Sequence, residues 1–254
     1  MPLHVPHAAW RCRRASLEAG FTTQCELHMD TATDPFAAAR TLMVDGQIRP
    51  NKVYDRRLLD ALRQMPRERF VPPAQIARAY VDEDVALGGR RWLTEPMVVA
   101  RLLEIAAVRG GERALVVGAA GGYSAALLDA CGATVTALEE DPALIAMMRS
   151  VLPSVAPNVV VAEGKLVAGW AAGAPYDLIL VDGAVEDSVP AAIAAQLRPA
   201  SPNGGGRLVT VRRHGAMGQG SIAESVAGVL RYQPVFDCAT PLLAPLQRAA
   251  DFVF

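Results

Sequence analysis

The sequence predicts an α/β fold in which a doubly wound parallel sheet follows a helical N-terminal part, and three observations predict it. After Gly110, short apolar runs alternate with helical segments, the rhythm of βαβ units whose sheet is covered on both faces. A glycine-rich turn, Gly118-Ala119-Ala120-Gly121-Gly122-Tyr123, directly follows the first run. Acidic residues, Glu139, Glu163 and Asp182, close the next three runs, where open α/β sheets place their ligands.

The elements follow in order. Residues 1–34 read as a disordered extension: Arg11, Arg13 and Arg14 precede no apolar stretch long enough for a signal peptide, and Met29 opens a more ordinary segment. Residues 35–254 read as a single domain, with 35–109 helical and 110–254 forming the α/β core. In the helical part Leu58, Leu59, Leu62 and Met65 recur at one helix face. Pro66, Pro72 and Pro73 divide it into short pieces, and Gly88-Gly89-Arg90-Arg91-Trp92 reads as a loop before a helix starting near Glu95. The core strands are expected at Ala114–Val117, Thr134–Leu138, Asn158–Ala162, Tyr176–Val181 and Gly206–Val211. Helices are expected at Gly122–Ala130, Pro142–Val151 and Ser188–Leu197. Val229–Phe236 and Ala250–Phe254 are candidates for further strands, and the prolines of the C-terminal segment suggest an edge or a loop covering the cleft.

Composition narrows the function classes. A formal net charge of −1 over 254 residues lacks the one-sided basic field of nucleic-acid binders, so no nucleic-acid partner is expected. Four scattered cysteines, without histidines at ligand spacing, fit a reduced cytoplasmic compartment and no metal site. No apolar run approaches the roughly 18 residues of a membrane span.

The chemistry concentrates at the strand ends. A dinucleotide turn needs glycines at 118, 120 and 123, but the chain has Gly118, Ala120 and Tyr123 there, which disfavours a nicotinamide-dependent oxidoreductase. S-adenosylmethionine carries no phosphate and needs a close-approach turn without that spacing. Glu139 lies 21 residues after Gly118, where a carboxylate can accept both ribose hydroxyls of an adenosine. Glu163 is placed to accept from an adenine amino group. The acidic run Glu139-Glu140-Asp141-Pro142 also serves helix initiation, which accounts for Asp141 better than for Glu139. Asp182-Gly183 is equally an ordinary turn signal.

From Met43 to Pro241 the sequence resembles the protein-L-isoaspartate (D-aspartate) O-methyltransferases, whose fold is a Rossmann-like, S-adenosylmethionine-dependent methyltransferase domain. The resemblance is carried by Val53-Tyr54-Asp55, Pro66-Arg67-Glu68-Arg69-Phe70-Val71-Pro72, Ala79-Tyr80-Val81-Asp82, Glu95-Pro96-Met97-Val98-Val99-Ala100 and Ala174-Pro175-Tyr176-Asp177 through Val181. It implies methyl transfer from S-adenosyl-L-methionine to the carboxylate of isoaspartyl or D-aspartyl residues in damaged proteins. The family's catalytic loop reads Gly-Gln-Thr-Ile-Ser-Gln/Ala-Pro. Here the matching stretch is Arg90-Arg91-Trp92-Leu93-Thr94-Glu95-Pro96, which puts Thr94 on the serine position. The resemblance therefore implies Thr94 as the catalytic residue. Leu93, Gly118, Ala120, Gly122, Tyr123, Glu139, Glu163 and Asp182 are the cofactor-binding candidates, and Arg90 and Arg91 the substrate-binding candidates. Thr94 before Glu-Pro also fits a helix cap, and Trp92 a packing anchor.

The chain departs from the family pattern at several places. Arg90 and Arg91 replace small and amide residues, Val116 replaces an acidic residue before the turn, and Ala120 replaces a glycine. These departures keep a second reading open, a divergent paralogue that binds the cofactor but methylates another carboxylate or serves as a non-catalytic binding module.

Overall fold

The computed structural model describes residues 34–247 apart from 203, 216 and 227. The expected extension lies almost wholly outside the described residues, as does the candidate strand Ala250–Phe254.

Three helices form the N-terminal part: α1 (Ala37–Met43), α2 (Arg56–Gln64) and α3 (Pro96–Ala106). Asp55 caps α2 by accepting from the Arg57 amide, which satisfies one of the free N–H groups of the first turn. Leu58, Leu59, Ala61 and Leu62 give this helix its buried face. Between α2 and α3 the chain makes a small hairpin, β1 (Val85–Gly88) and β2 (Arg91–Leu93), in place of the expected loop. Gly88, Gly89 and Arg90 all take positive φ at its turn. A three-residue alternation, Arg91 in, Trp92 out, Leu93 in, is too short to stand out as a strand pattern in sequence.

The core is a seven-stranded sheet. Its strands are β3 (Arg113–Val117), β4 (Thr134–Glu139), β5 (Val160–Glu163), β6 (Leu178–Glu186), β7 (Arg207–His214), β8 (Met217–Val226) and β9 (Val229–Cys238), in the order β5-β4-β3-β6-β7-β8-β9. The first five strands in that order are parallel; β8 and β9 join as an antiparallel extension. The helices α4 (Tyr123–Ala130), α5 (Pro142–Val155) and α6 (Ala191–Ala194) follow β3, β4 and β6. The expected helix Ser188–Leu197 shrinks to the four residues of α6, which begins directly after Pro190. The strand β8 was not expected, because Gly218, Gly220 and Ser221 interrupt its apolar alternation.

The period of two in β3 separates the two cores: Ala114 and Val116 face α3, α4 and α5, and Leu115 and Val117 face α6 and the C-terminal segment. Strand order reverses between β3 and β6, since β4 lies on one side of β3 and β6 on the other. The crevice at that reversal, beyond the carboxyl ends of β3 and β6, is where this topology receives ligands.

Candidate active site

The turn after β3 is bent as its glycines require, with φ of +75° at Gly118 and +96° at Gly122. Ala120 shares that region at φ +51° although it carries a Cβ. This turn aims the Ala120 amide at the Glu139 carboxylate, 3.0 Å from Oε2. The amides of Glu140 and Asp141 donate to Oε1 at 2.8 and 3.0 Å. Glu139 is fully buried, so three backbone donors hold its carboxylate in one orientation at the crevice.

The fourth partner of Glu139 is a side chain. Arg91, on the inward face of β2, places Nη1 2.5 Å from Oε1 and Nη2 2.8 Å from Oε2, and Nη2 also donates to the Gly118 carbonyl at 3.0 Å. The side chains of this pair are 4% and 0% exposed. The structure buries the guanidinium of Arg91, a substrate-binding candidate, between Glu139 and the glycine turn. Its neighbour Arg90 does face outward, at the mouth of the crevice, 3.4 Å from the side chain of Gln247.

Across the crevice stands a second buried polar group. Thr94 Oγ1 donates to Asp182 Oδ1 at 2.8 Å and Ser124 Oγ donates to Oδ2 at 2.6 Å. Burial pushes the Asp182 carboxyl above the usual aspartate range, while the two hydroxyl donors and the cations of Arg91 and Arg67 pull it down. Arg67, from the Pro-Arg-x-x-Phe-Val-Pro stretch, is itself fully buried. It donates from Nε to the Ala79 carbonyl and from Nη2 to the Thr94 carbonyl, both at 2.7 Å. That grip fixes the backbone of the loop that carries Thr94. Glu95, which follows it, donates its amide to Asp84 at 2.9 Å. Burial, together with Asp82 and Asp84, pushes the Glu95 carboxyl up to about 7.

The remaining candidates divide. Gly118, Ala120, Glu139, Thr94 and Asp182 converge on the crevice. Glu163 pairs in register with Glu139 at the next strand end, exposed and 3.2 Å from Arg149. Leu93 turns away into the apolar core. Gly122 faces α5, where an added Cβ would come within about 3.2 Å of Leu152 and Met148. Tyr123 is buried edge-on against Phe70 with the Arg67 guanidinium 4.7 Å from its ring centre. Leu93 and Tyr123 therefore support the crevice from behind and do not present their side chains to it, and Gly122 gives α5 room to pack. Ser124 of the crevice was not foreseen, whereas Leu243 lies in the segment expected to cover the cleft. Ser124 sits one residue past the turn, but its partner Asp182 is 58 positions away, a pairing no local pattern reveals. Leu243 belongs to the C-terminal segment, which is tied to β6 by hydrogen bonds of Ala184 with Pro241 and Leu243. Its Cδ2 lies 2.7 Å from where a Cβ on Gly118 would be.

Little free space remains between these groups. The cavity bounded by Arg91, Thr94, Asp182 and Leu243 measures about 10 Å³, against roughly 300–1,000 Å³ for sites that hold a small organic ligand. A larger hollow of about 530 Å³ lies away from the strand ends, around Tyr54, Arg56 and the Asp45, Arg49 and Arg63 ion pairs. Among the described residues no cluster of metal-ligating side chains occurs, and no helix is long and apolar enough to cross a membrane.

The sequence profile of the protein-L-isoaspartate(D-aspartate) O-methyltransferases matches residues 39–218. A protein-L-isoaspartate O-methyltransferase of Methylorubrum extorquens (strain PA1) is 39% identical over 186 residues, covering 70% of this chain and 81% of that one. One of Anaeromyxobacter dehalogenans (strain 2CP-C) is 40% identical over 159 residues, 62% of this chain and 73% of that one. Two solved structures share the fold. A protein-L-isoaspartate O-methyltransferase superposes with a TM-score of 0.68 at 20% identity, over 80% of this chain and 65% of that one, just under two thirds of its length. A candidate protein-L-isoaspartate O-methyltransferase of Plasmodium falciparum, in complex with S-adenosyl-L-homocysteine, superposes with a TM-score of 0.64 at 16% identity, over 81% and 97%.

Proposed function

The chain belongs to the protein-L-isoaspartate(D-aspartate) O-methyltransferase family, and from that premise we propose that it carries out the family's repair reaction. It transfers the methyl group of S-adenosyl-L-methionine to the carboxylate of L-isoaspartyl or D-aspartyl residues in damaged proteins or peptides. The cytoplasm, where its cysteines stay reduced, is its place of work. The observation that carries this reading is the convergence of Glu139, the Gly118 turn, Thr94 and Asp182 at the switch crevice of a chain whose sequence matches the family over 39–218.

The chemistry asks little of acids and bases. A carboxylate with a pKa of about 4 is ionised at neutral pH, so the acceptor needs no general base. Rate then comes from holding the acceptor oxygen in line with the transferring carbon, which is catalysis by orientation. When bound, S-adenosylmethionine supplies an activated methyl group on a sulfonium. Of the chain's own residues, Glu139 would give its two fixed oxygens to the adenosine hydroxyls in place of Arg91, and Gly118 would let the backbone approach closely. Thr94 is the catalytic residue of this reading, its hydroxyl held by Asp182 and its backbone by Arg67. The acceptor set fits the cofactor. The room beside it is held by the Arg91 guanidinium and Leu243.

A labelled-methyl transfer assay on paired peptides, one with isoaspartate and one with aspartate, tests the proposal. Labelling confined to the isoaspartyl peptide is expected. The pairing of Arg91 with Glu139 favours a second reading, a paralogue that binds the cofactor but methylates another carboxylate or none. Binding of S-adenosylmethionine without label on either peptide selects that reading over repair.

A further inference from the structure

We infer that Arg91 sets cofactor affinity by acting as the site's own ligand: its guanidinium occupies the Glu139 carboxylate and must leave before an adenosine ribose can take its place. The inference rests on the cofactor reading given above.

Three features of the structure carry it. First, the contact mimics the one it excludes. A vicinal diol and a guanidinium both present two adjacent donors to a carboxylate, and Arg91 gives one nitrogen to each oxygen of Glu139. With three backbone amides and Arg91 in place, that carboxylate has no free side toward the crevice. The Nη2 contact to the Gly118 carbonyl extends the same plug over the glycine turn.

Second, the plug adjoins a turn able to change conformation. The hairpin β1–β2 is a separate two-stranded sheet with no ladder to the seven-stranded one. Its turn places Gly88, Gly89 and Arg90 in the left-handed region, and two of these three are glycine, so the turn can change conformation at little steric cost. Trp92, on the opposite face from Arg91, is 39% exposed, so the core holds the hairpin through Val85 and Leu93, and the turn with Arg91 is the part left to move.

Third, release is chemically feasible while remaining unfavourable. Arginine at the crevice mouth regains full hydration, which offsets part of the lost ion pair, as buried pairs recover much of their desolvation when exposed. A closed state favoured tenfold over the open one weakens apparent affinity by about tenfold, because only the open fraction is competent.

The test is calorimetric titration of the full chain with S-adenosylhomocysteine, for the wild type and for Arg91→Ala and Arg91→Gln. Arg91→Ala removes the plug and leaves Glu139 its three amide donors; Arg91→Gln keeps most of the bulk with a single, uncharged donor group. Expected is tightening of about tenfold or more for Arg91→Ala and a smaller gain for Arg91→Gln. Unchanged or weaker binding in a folded Arg91→Ala protein overturns the inference and leaves the cofactor reading standing. Absence of binding in the wild type and in both variants overturns both. Hydrogen exchange on the wild type alone gives an independent readout should either variant fold poorly. Saturation with S-adenosylhomocysteine is expected to speed amide exchange in 88–91 as the turn opens, and slowing there counts against the plug.

Discussion

At the scale of single residues, the crevice is built from side chains whose partners come from distant parts of the chain. Thr94 is the clearest case. Its hydroxyl donates its one proton to Asp182, so Thr94→Val removes a hydrogen bond to a buried carboxylate as well as the group assigned to the reaction. We expect turnover on an isoaspartyl peptide to fall by about tenfold or more, consistent with losing a hydrogen bond worth roughly 1–3 kcal/mol. Thr94→Ser should retain most of the rate, and the affinity for S-adenosylhomocysteine should change little; steady-state kinetics beside calorimetry separates the two effects. Tyr123 makes the opposite point. Sequence position placed it in the cofactor turn, but its hydroxyl is buried without a hydrogen-bond partner and its ring packs on Phe70 and Arg67. Tyr123→Phe keeps the ring and removes the unpaired group, so stability in urea should be unchanged or higher by up to about 1 kcal/mol, with cofactor affinity unaffected. The residue type at 123 was legible as a departure from a dinucleotide turn. The direction of its side chain was not, because it follows from how α4 packs.

At the scale of elements, the turn after β3 and the hairpin β1–β2 behave differently under sequence reading. The turn was legible because glycine spacing reports backbone conformation directly, and Gly118 and Gly122 do take positive φ. Ala120 follows them there, where a Cβ costs roughly 1–2 kcal/mol. Glycine at that position loses more chain entropy on folding, so Ala120→Gly is expected to stabilise the protein by only about 1 kcal/mol or slightly less, read from the denaturant midpoint. The hairpin was illegible for a physical reason. Its register is fixed by Arg91 reaching Glu139 across 48 positions and by Arg67 holding Thr94 across 27. Neither tie leaves a periodic trace in the strand itself.

At the scale of the whole molecule, the doubly wound core was readable in full outline, since burial on both faces turns each parallel strand into a compact apolar run. What escaped was β8, whose Gly218, Gly220 and Ser221 break the apolar alternation even though Ile222 and Ala223 pack on its two faces; β9 coincides with the candidate strand Val229–Phe236. Stability should depend on pH through the acidic group behind the loop that carries Thr94. Burial raises Asp84 to about 6 and Glu95 to about 7, from ordinary values of 3.8 and 4.5. Between those values the folded protein holds more protons than the unfolded chain, so stability falls as pH rises from about 4 to 7 and levels off above. Glu95→Gln should flatten that slope and raise stability at pH 8 by about 1 kcal/mol in urea titrations repeated across pH. Among the described residues the antiparallel extension also leaves β9 as the outermost strand, with Val229 and Val235 exposed along it. An open edge of this kind invites another chain to continue the ladder. Pro234, set opposite the irregularity at Gly220 and Ser221, has no N–H to offer such a neighbour. Withholding that one donor guards the protein against growing into a fibre through this strand.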